Sequence, residues 1–567
     1  MIRHKVLGLA ALLVTAPVAA QTGVNPAWPL ADSSVVTTGS SMMVVSGNPI
    51  ASRVGHDIMK RGGNAIDAAV ATGLALAVVH PEAGNIGGGG FMVIRMANGE
   101  AFAIDYRETA PGRARRNMYV GADGNPTSKS WTGHLAVGVP GAVAGLAEAH
   151  RRFGKLPWRE VVEPAIQLAR EGFLVDHYRH ESIRGDSSRL VHFPTSAAQF
   201  LPHGQAPAIG TVFAQPDLAR TLESIRDRGA NGFYLGRVAN LIVAEMRRGG
   251  GIVSQSDLAK YRPIWRTPLS FSYRGRTIYS MPPASSGGIT LAMILNIMEG
   301  FDPLPAFGSP ALLHLEAEAM RRAFVERNLS LGDPAFVTNP IARMSSKSYA
   351  TRRRAEIDPA RATPTGQVAP MLKDGPSTTH YSVVDSEGNA VSTTTTLNNS
   401  YGSAVTVTGG GFLLNDEMDD FTTAPGKPNN YGLIQGAANA IVPGKRMLSA
   451  MTPSIVLDQD GKLLMVLGTP GGPTIITQVY HVISNVIDHG MSLPQAVAMP
   501  RLHHQSIPDR IFLEKDGFSP EVVAALQAMG HTVGMRGHMG DVEAIIRTAT
   551  GWLGASDPRR GGGGAGQ

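Results

Sequence analysis

The chain contains no cysteine. Disulfides, thiolate nucleophiles and cysteine metal sites are excluded, so stability has to come from core size. It has no block of Lys and Arg interleaved with aromatics. With 51 basic against 45 acidic residues the net charge is only +6, and nothing points to nucleic acid. No apolar run reaches the ~20 residues a membrane span needs. The glycine run 87–90 lacks the Gly-Lys-Ser/Thr ending of a phosphate loop and does not follow a dinucleotide fingerprint. There is no Gly-x-Ser-x-Gly nucleophile elbow. His503 and His504 cannot share one strand face, and no ligand spacing surrounds them to suggest a metal site.

What is present is ordinary for a globular chain with a large core: 43% hydrophobic and 17% charged residues. The 66 Gly and 38 Pro have no period and signal many turns and close backbone approaches. Over 567 residues, length alone suggests three or four domains, a prior that large layered folds break. No internal repeat is visible. Arg3, His4 and Lys5 precede an apolar run at 6–14, and Val18-Ala19-Ala20 supplies the small residues a signal peptidase reads. Residues 1–20 are therefore expected to be a signal peptide. Its removal would leave a secreted protein, most simply periplasmic, with no membrane anchor.

Helical spacing is expected at 49–61, ended by Gly62-Gly63, and at 65–79, where Asn64 caps a helix apolar enough to be buried. A tight hairpin is expected over 91–105. From 141 to 344 helical patches alternate with Pro/Gly turns, among them 158–170 and 311–326. Residues 359–376 are polar, Pro-rich and aperiodic, the clearest break in the chain. Strands follow at 381–385, 390–396, 454–457 and 463–467, then helices at 475–488 and near 520–529. Helices before and after paired strand sets suggest helical layers over stacked sheets. The Gly-rich tail 561–567 reads as disordered.

The stretch Thr378-Thr379-His380-Tyr381-Ser382 carries the most chemistry. A threonine hydroxyl is a poor nucleophile until a base takes its proton. Cutting the chain just before Thr378 would place a new α-amine, near pKa ~8, beside that hydroxyl. The polar turn-rich segment 372–377 is suited to such a cut. Taken alone, the motif is also an unremarkable strand start. Thr396 and Asn398 lie at and past the end of the strand returning through the turn at 385–389, a register that brings Thr396 near Thr378. Pro470-Gly471-Gly472, between a strand and a helix, can aim two N–H groups at an oxyanion, although it also reads as a tight turn. The acidic run Asp416-Glu417-Met418-Asp419-Asp420 could hold an ammonium or simply be a solvated loop. Arg107 could fork a carboxylate. A site with both signs would read an amino-acid head group.

These pieces occur together with Gly62-Gly-Asn-Ala-Ile-Asp-Ala, Gly84-Asn-Ile-Gly-Gly-Gly-Gly-Phe, Asp105-Tyr-Arg-Glu-Thr-Ala-Pro, Ser280-Met-Pro-Pro-Ala-Ser-Ser-Gly-Gly, Leu414-Asn-Asp-Glu-Met-Asp-Asp-Phe and Gly468-Thr-Pro-Gly-Gly. In that order, from about Ser46 to Arg559, the chain resembles the γ-glutamyltransferases (γ-glutamyltranspeptidases). The resemblance implies an α+β fold, the four-layer αββα sandwich of N-terminal-nucleophile hydrolases, self-cleaved into a large chain (21–377) and a small chain (378–567) that form one intertwined heterodimer. It implies Thr378 as nucleophile with Thr396 hydrogen-bonded to it, and Gly471 and Gly472 as oxyanion hole. Arg107 and Ser449 would bind the substrate α-carboxylate, and Asn398, Glu417 and Asp420 its ammonium. Tyr431 would belong to a lid at 425–433. The implied donors are glutathione and other γ-glutamyl compounds, the acceptors water or amino-acid and dipeptide amines, with no metal or organic cofactor. One position departs from the family pattern: Ser449 is followed by Ala450 where members commonly carry a second serine, which removes one hydroxyl contact. Two other readings compete. One is a glutaryl-cephalosporin (β-lactam) acylase of the same fold, the other a secreted binding protein without turnover.

Overall fold

The computed structural model of the chain describes residues 23–364 and 378–567. The expected signal peptide and the stretch ending at Ser377 lie outside the described residues, so the expected cut is described on its Thr378 side only.

Two seven-stranded sheets form the centre. In chain order their strands are β1 (Val35–Gly39), β2 (Met43–Ser46), β3 (Gly89–Arg95), β4 (Ala101–Asp105), β5 (Ile264–Arg266), β6 (Leu269–Tyr273), β7 (Arg276–Ser280), β8 (Thr378–Val384), β9 (Ala390–Thr396), β10 (Ser454–Leu457), β11 (Leu463–Gly468), β12 (Glu543–Thr548), β13 (Gly551–Ser556) and β14 (Gly563–Gly566). One sheet is ordered β14-β2-β8-β9-β3-β4-β5, the other β1-β13-β12-β11-β10-β7-β6.

Side chains sort by the strand period of two. In β2, Val44 joins a core beneath outer helices while Met43 and Val45 face the second sheet. In β3, Met92 and Ile94 take the helical side and Phe91 and Val93 the inter-sheet side. In β11, Met465 and Leu467 face helices and Val466 faces the first sheet. Three cores thus separate four layers, αββα, as expected. The helices over the first sheet include α1 (Pro49–Lys60), α2 (Ala65–Val79), α3 (Ala142–Phe153) and α4 (Trp158–Glu171). Those over the second include α5 (Gly287–Met298), α6 (Pro310–Ser330) and α7 (Thr474–Ile487).

Every residue of α2 is buried, as its uniform apolarity requires. Its start is a capping box: the Asn64 side chain accepts from the Ile66 and Asp67 N–H groups, and Asp67 Oδ2 accepts from the Asn64 N–H at 3.0 Å. The turn joining β8 to β9 is tied to the same helix end. Asp385 Oδ2 accepts from Ala65 N–H at 2.9 Å, and Asp385 Oδ1 accepts from Glu387 and Asn389 N–H. A carboxylate at a helix N-terminus is favourable, and here it also fixes where the hairpin folds.

The tail corrects one expectation. Gly563–Gly566 is not disordered but forms β14, paired antiparallel with β2 from Gly563↔Ser46 to Gly566↔Met43. Glycine permits this because the backbone passes where side chains cannot. A Cβ at Gly566 would lie 2.6 Å from Met43 Cε and 2.8 Å from the Thr38 carbonyl oxygen.

Candidate active site

β8 and β9 pair from Thr378↔Thr396 to Val384↔Ala390, so Thr378 and Thr396 are opposite residues at the open end of the hairpin. Their side chains lie on the same face, with Oγ atoms 3.1 Å apart. Asn398, just past β9 at φ 79°, donates its N–H to Thr396 Oγ at 2.8 Å. Its Nδ2 donates to the Asp416 carbonyl at 3.0 Å, which leaves Oδ1 as an acceptor.

In the acidic run Asp416, Glu417 and Asp419 are buried and Asp420 is partly exposed, and the run divides by role. Glu417–Asp420 is a turn of 3₁₀ helix. Three residues per turn place Glu417 and Asp420 on one side, and that side faces Arg107. Arg107 Nη1 donates to Glu417 Oε1 and Nη2 to Asp420 Oδ2, while Nε donates to the Met447 carbonyl at 3.3 Å. Asp416 and Asp419 point elsewhere: Asp416 accepts from Asn399 N–H at 2.9 Å, and Asp419 from Ser130 Oγ at 2.6 Å. Arg107 has five N–H donors, of which three are committed, so two remain. Glu417 Oε2 is buried and has no donor among the described residues.

Burial works against the Arg107 charge, but Glu417, Asp420 and Glu108 more than offset it and hold its pKa above the usual arginine value. Burial likewise pushes Glu417 and Asp420 upward, with Arg107 opposing. It pushes Glu108 up as well, again with Arg107 opposing.

At the other wall, Gly471 (φ 136°) and Gly472 (φ 57°) turn the chain from β11 into α7. Gly472 has a second reason to be glycine, since a Cβ would meet the Tyr431 ring at 2.8 Å. Neither glycine N–H has an acceptor among the described residues. Tyr431 closes the cavity from above: its Oη donates to the Asn398 carbonyl at 2.9 Å, and the neighbouring Asn430 N–H donates to Asp419 Oδ2 at 2.9 Å.

The structure therefore brings Arg107, Thr378, Thr396, Asn398, Glu417, Asp420, Tyr431, Ser449 and Gly472 to one small cavity, with Gly471 adjoining. Ser449 Oγ accepts from Met451 N–H at 3.1 Å and keeps its own proton to donate. Ala450 lines the cavity too. Thr452 does not replace the missing hydroxyl, because it is fully buried and donates to the Ala450 carbonyl at 2.9 Å. Arg327, in the last turn of α6, also lines the cavity and was not anticipated. The expected helix ended one residue short of it, and one of three arginines on a long helix gives no sequence signal.

A strand that begins with threonine inside the cavity, at the centre of an αββα sandwich, defines an N-terminal-nucleophile hydrolase. The chain belongs to the γ-glutamyltranspeptidase family, whose model matches residues 51–567. It is 46% identical over 524 residues to the glutathione hydrolase proenzyme of Escherichia coli (strain K12), spanning 91% of this chain and 90% of that protein. It is 40% identical over 509 residues to the acylase ACY 1 proenzyme of Pseudomonas sp. (strain SE83), spanning 88% of each. Among solved structures, cephalosporin acylase from Bacillus halodurans matches with a TM-score of 0.82 at 28% identity, over 94% of this chain and 97% of that one.

Proposed function

We propose that the chain is a γ-glutamyltransferase and glutathione hydrolase that matures by cutting itself between Ser377 and Thr378. Thr378 Oγ adds to the Ser377 carbonyl and the acyl group shifts from nitrogen to oxygen. That shift breaks the Ser377–Thr378 peptide bond and frees the Thr378 α-amine. Hydrolysis of the ester then releases the Ser377 carboxylate, restores the Thr378 hydroxyl and leaves chains 21–377 and 378–567 as a heterodimer. The amine, near pKa ~8, then serves as base for its own hydroxyl.

In turnover, Thr378 Oγ attacks the γ-carbonyl of a γ-glutamyl amide. The oxyanion is held by the Gly471 and Gly472 N–H groups, each worth ~3 kcal/mol. The protonated α-amine returns its proton to the leaving amine, and a γ-glutamyl-Thr378 ester remains. Water, or an amino-acid or dipeptide amine, then takes the acyl group. Thr396 orients the nucleophile and Tyr431 covers the ester. The α-carboxylate is held by the two uncommitted N–H groups of Arg107 and by Ser449, the ammonium by Asn398, Glu417 and Asp420. Residues 1–20 would direct the enzyme to the periplasm and be removed there, and glutathione and other γ-glutamyl compounds are its donors.

The observation that carries this reading is the opposite-sign pair beside Thr378: Arg107 with spare donors and Glu417 Oε2 with no donor among the described residues. A zwitterion satisfies both, whereas a glutaryl group supplies a carboxylate and leaves the Glu417 acceptor unsatisfied. Initial rates with γ-glutamyl-p-nitroanilide and glutaryl-p-nitroanilide test it. A strong preference for the γ-glutamyl substrate is expected, and preference for the glutaryl substrate would make the chain an acylase.

A further inference from the structure

Arg327 is 1% exposed, yet among the described residues no carboxylate lies within ion-pair distance of its guanidinium. Its partners are neutral. Nε donates to Ser286 Oγ at 2.9 Å, and Nη1 donates to Asn328 Oδ1 at 2.8 Å and Gln435 Oε1 at 3.4 Å. Nη2 has no acceptor among the described residues, and the side chain lines the cavity that holds Thr378. A buried charge is costly unless it is paired, and buried arginines elsewhere in this fold are paired: Arg179 with Glu82, Arg559 with Glu514. Burial pulls Arg327 down to about 10 in spite of an upward pull from Asp420.

Its hydrogen bonds place Arg327 at the head-group end of the cavity. Ser286 Oγ, which accepts from Arg327, donates to the Ser449 carbonyl at 2.6 Å. Gln435, its other neighbour, donates from Nε2 to the Asp420 carbonyl at 3.0 Å. Arg327 therefore shares struts with Ser449 and Asp420, two of the residues assigned to the amino-acid head group.

We propose that Arg327 is a second cationic contact for the substrate α-carboxylate, and that it sets the preference for acyl groups carrying that carboxylate. This rests on the γ-glutamyl reading above. Arg107 divides its fork between Glu417 and Asp420, so much of its positive field is spent on the ammonium side of the site. Arg327 supplies positive charge that the carboxylates of the site do not already bind.

The test uses the processed enzyme and three anilides: γ-glutamyl-p-nitroanilide, glutaryl-p-nitroanilide, which lacks the ammonium, and 4-aminobutanoyl-p-nitroanilide, which lacks the carboxylate. In γ-glutamyl-p-nitroanilide the α-carboxylate is the only anion, so an effect there cannot come from an acceptor or from the far end of a peptide. Arg327→Gln is expected to lower kcat/KM at least ~30-fold on both carboxylate-bearing substrates, mostly through KM, and to leave the 4-aminobutanoyl substrate within about threefold. Arg327→Lys should recover part of the loss. Equal losses on all three substrates, or no loss on the γ-glutamyl anilide, would overturn the assignment. So would an Arg327→Lys protein that never yields processed enzyme, since the residue would then serve the fold. A wild-type enzyme without γ-glutamyl turnover is a different result: it sinks the underlying reading and this one with it.

Discussion

Thr378 Oγ and Thr396 Oγ stand 3.1 Å apart because their residues are opposite partners in the β8–β9 ladder. The turn that sets this register is fixed by Asp385 at the N-terminus of α2, so a helix cap in the outer layer positions Thr396 against Thr378. Thr396→Val keeps the shape and removes the hydroxyl. A neutral hydrogen bond of about 0.5–1.5 kcal/mol predicts a roughly 3–10-fold drop in kcat with KM little changed. Thr396→Ser should restore the rate. Steady-state kinetics of the processed variants check this, and a change confined to KM would remove Thr396 from the chemistry.

Arg107→Lys keeps the charge and loses the fork. A lysine cannot hold Glu417 and Asp420 together and still present donors to a carboxylate. Apparent KM for γ-glutamyl substrates should rise at least ~10-fold while processing continues. Asp420→Asn should lower γ-glutamyl turnover and relatively favour glutaryl substrates. Unchanged kinetics in both variants would remove the pair from the site.

Ala450 lies at the cavity wall without a stand-in hydroxyl, since Thr452 is committed to the Ala450 carbonyl. A hydroxyl there would add one donor near the carboxylate or oxyanion, and a hydrogen bond to a charged group is worth roughly 1.5–3 kcal/mol. Ala450→Ser is expected to raise kcat/KM on γ-glutamyl-p-nitroanilide by up to ~10-fold, if half of that is realised. A neutral or harmful effect would show a loop built around alanine, and the role assigned to Ser449 would fall with it.

Away from the site, burial raises Glu316 from 4.5 to about 8, although Tyr480 Oη donates to its Oε1 at 3.1 Å. An acid whose folded pKa is raised is protonated in the folded state and ionised in the unfolded state between those two values. Its presence therefore costs stability progressively as pH rises from 4.5 to 8. Glu316→Gln carries no such penalty. Its thermal midpoint relative to wild type should improve between pH 5 and pH 8, by about 1–3 kcal/mol in stability terms. Parallel pH profiles of the two proteins in differential scanning fluorimetry would contradict it.

Much of this was legible in the sequence where local rules decide. The capping box at Asn64 and the all-apolar run of α2 determine a buried helix without tertiary information. The five-residue turn at 385–389 is enough to bring Thr396 opposite Thr378. Two things were not legible. Arg327 reaches the cavity only because α6 packs its last turn against the loop at 428–436, and nothing local distinguishes it from Arg321 and Arg322. The glycine tail looks disordered by composition, yet its lack of side chains is what lets it close the edge of the first sheet at Met43. The acidic run misleads in the same way: its charge suggests solvent, while the 3₁₀ turn aims half of it inward at Arg107.

The central claim is that Thr378 is both the site of the cut and the nucleophile. Intact mass spectrometry of the purified protein, with N-terminal sequencing of each fragment, tests it most directly when wild type and Thr378→Ala are compared. The account predicts two chains in wild type, one ending at Ser377 and one beginning Thr378-Thr379-His380, and a single uncut, inactive chain in Thr378→Ala. The same two fragments from Thr378→Ala, or a small chain starting at any other residue, would contradict it.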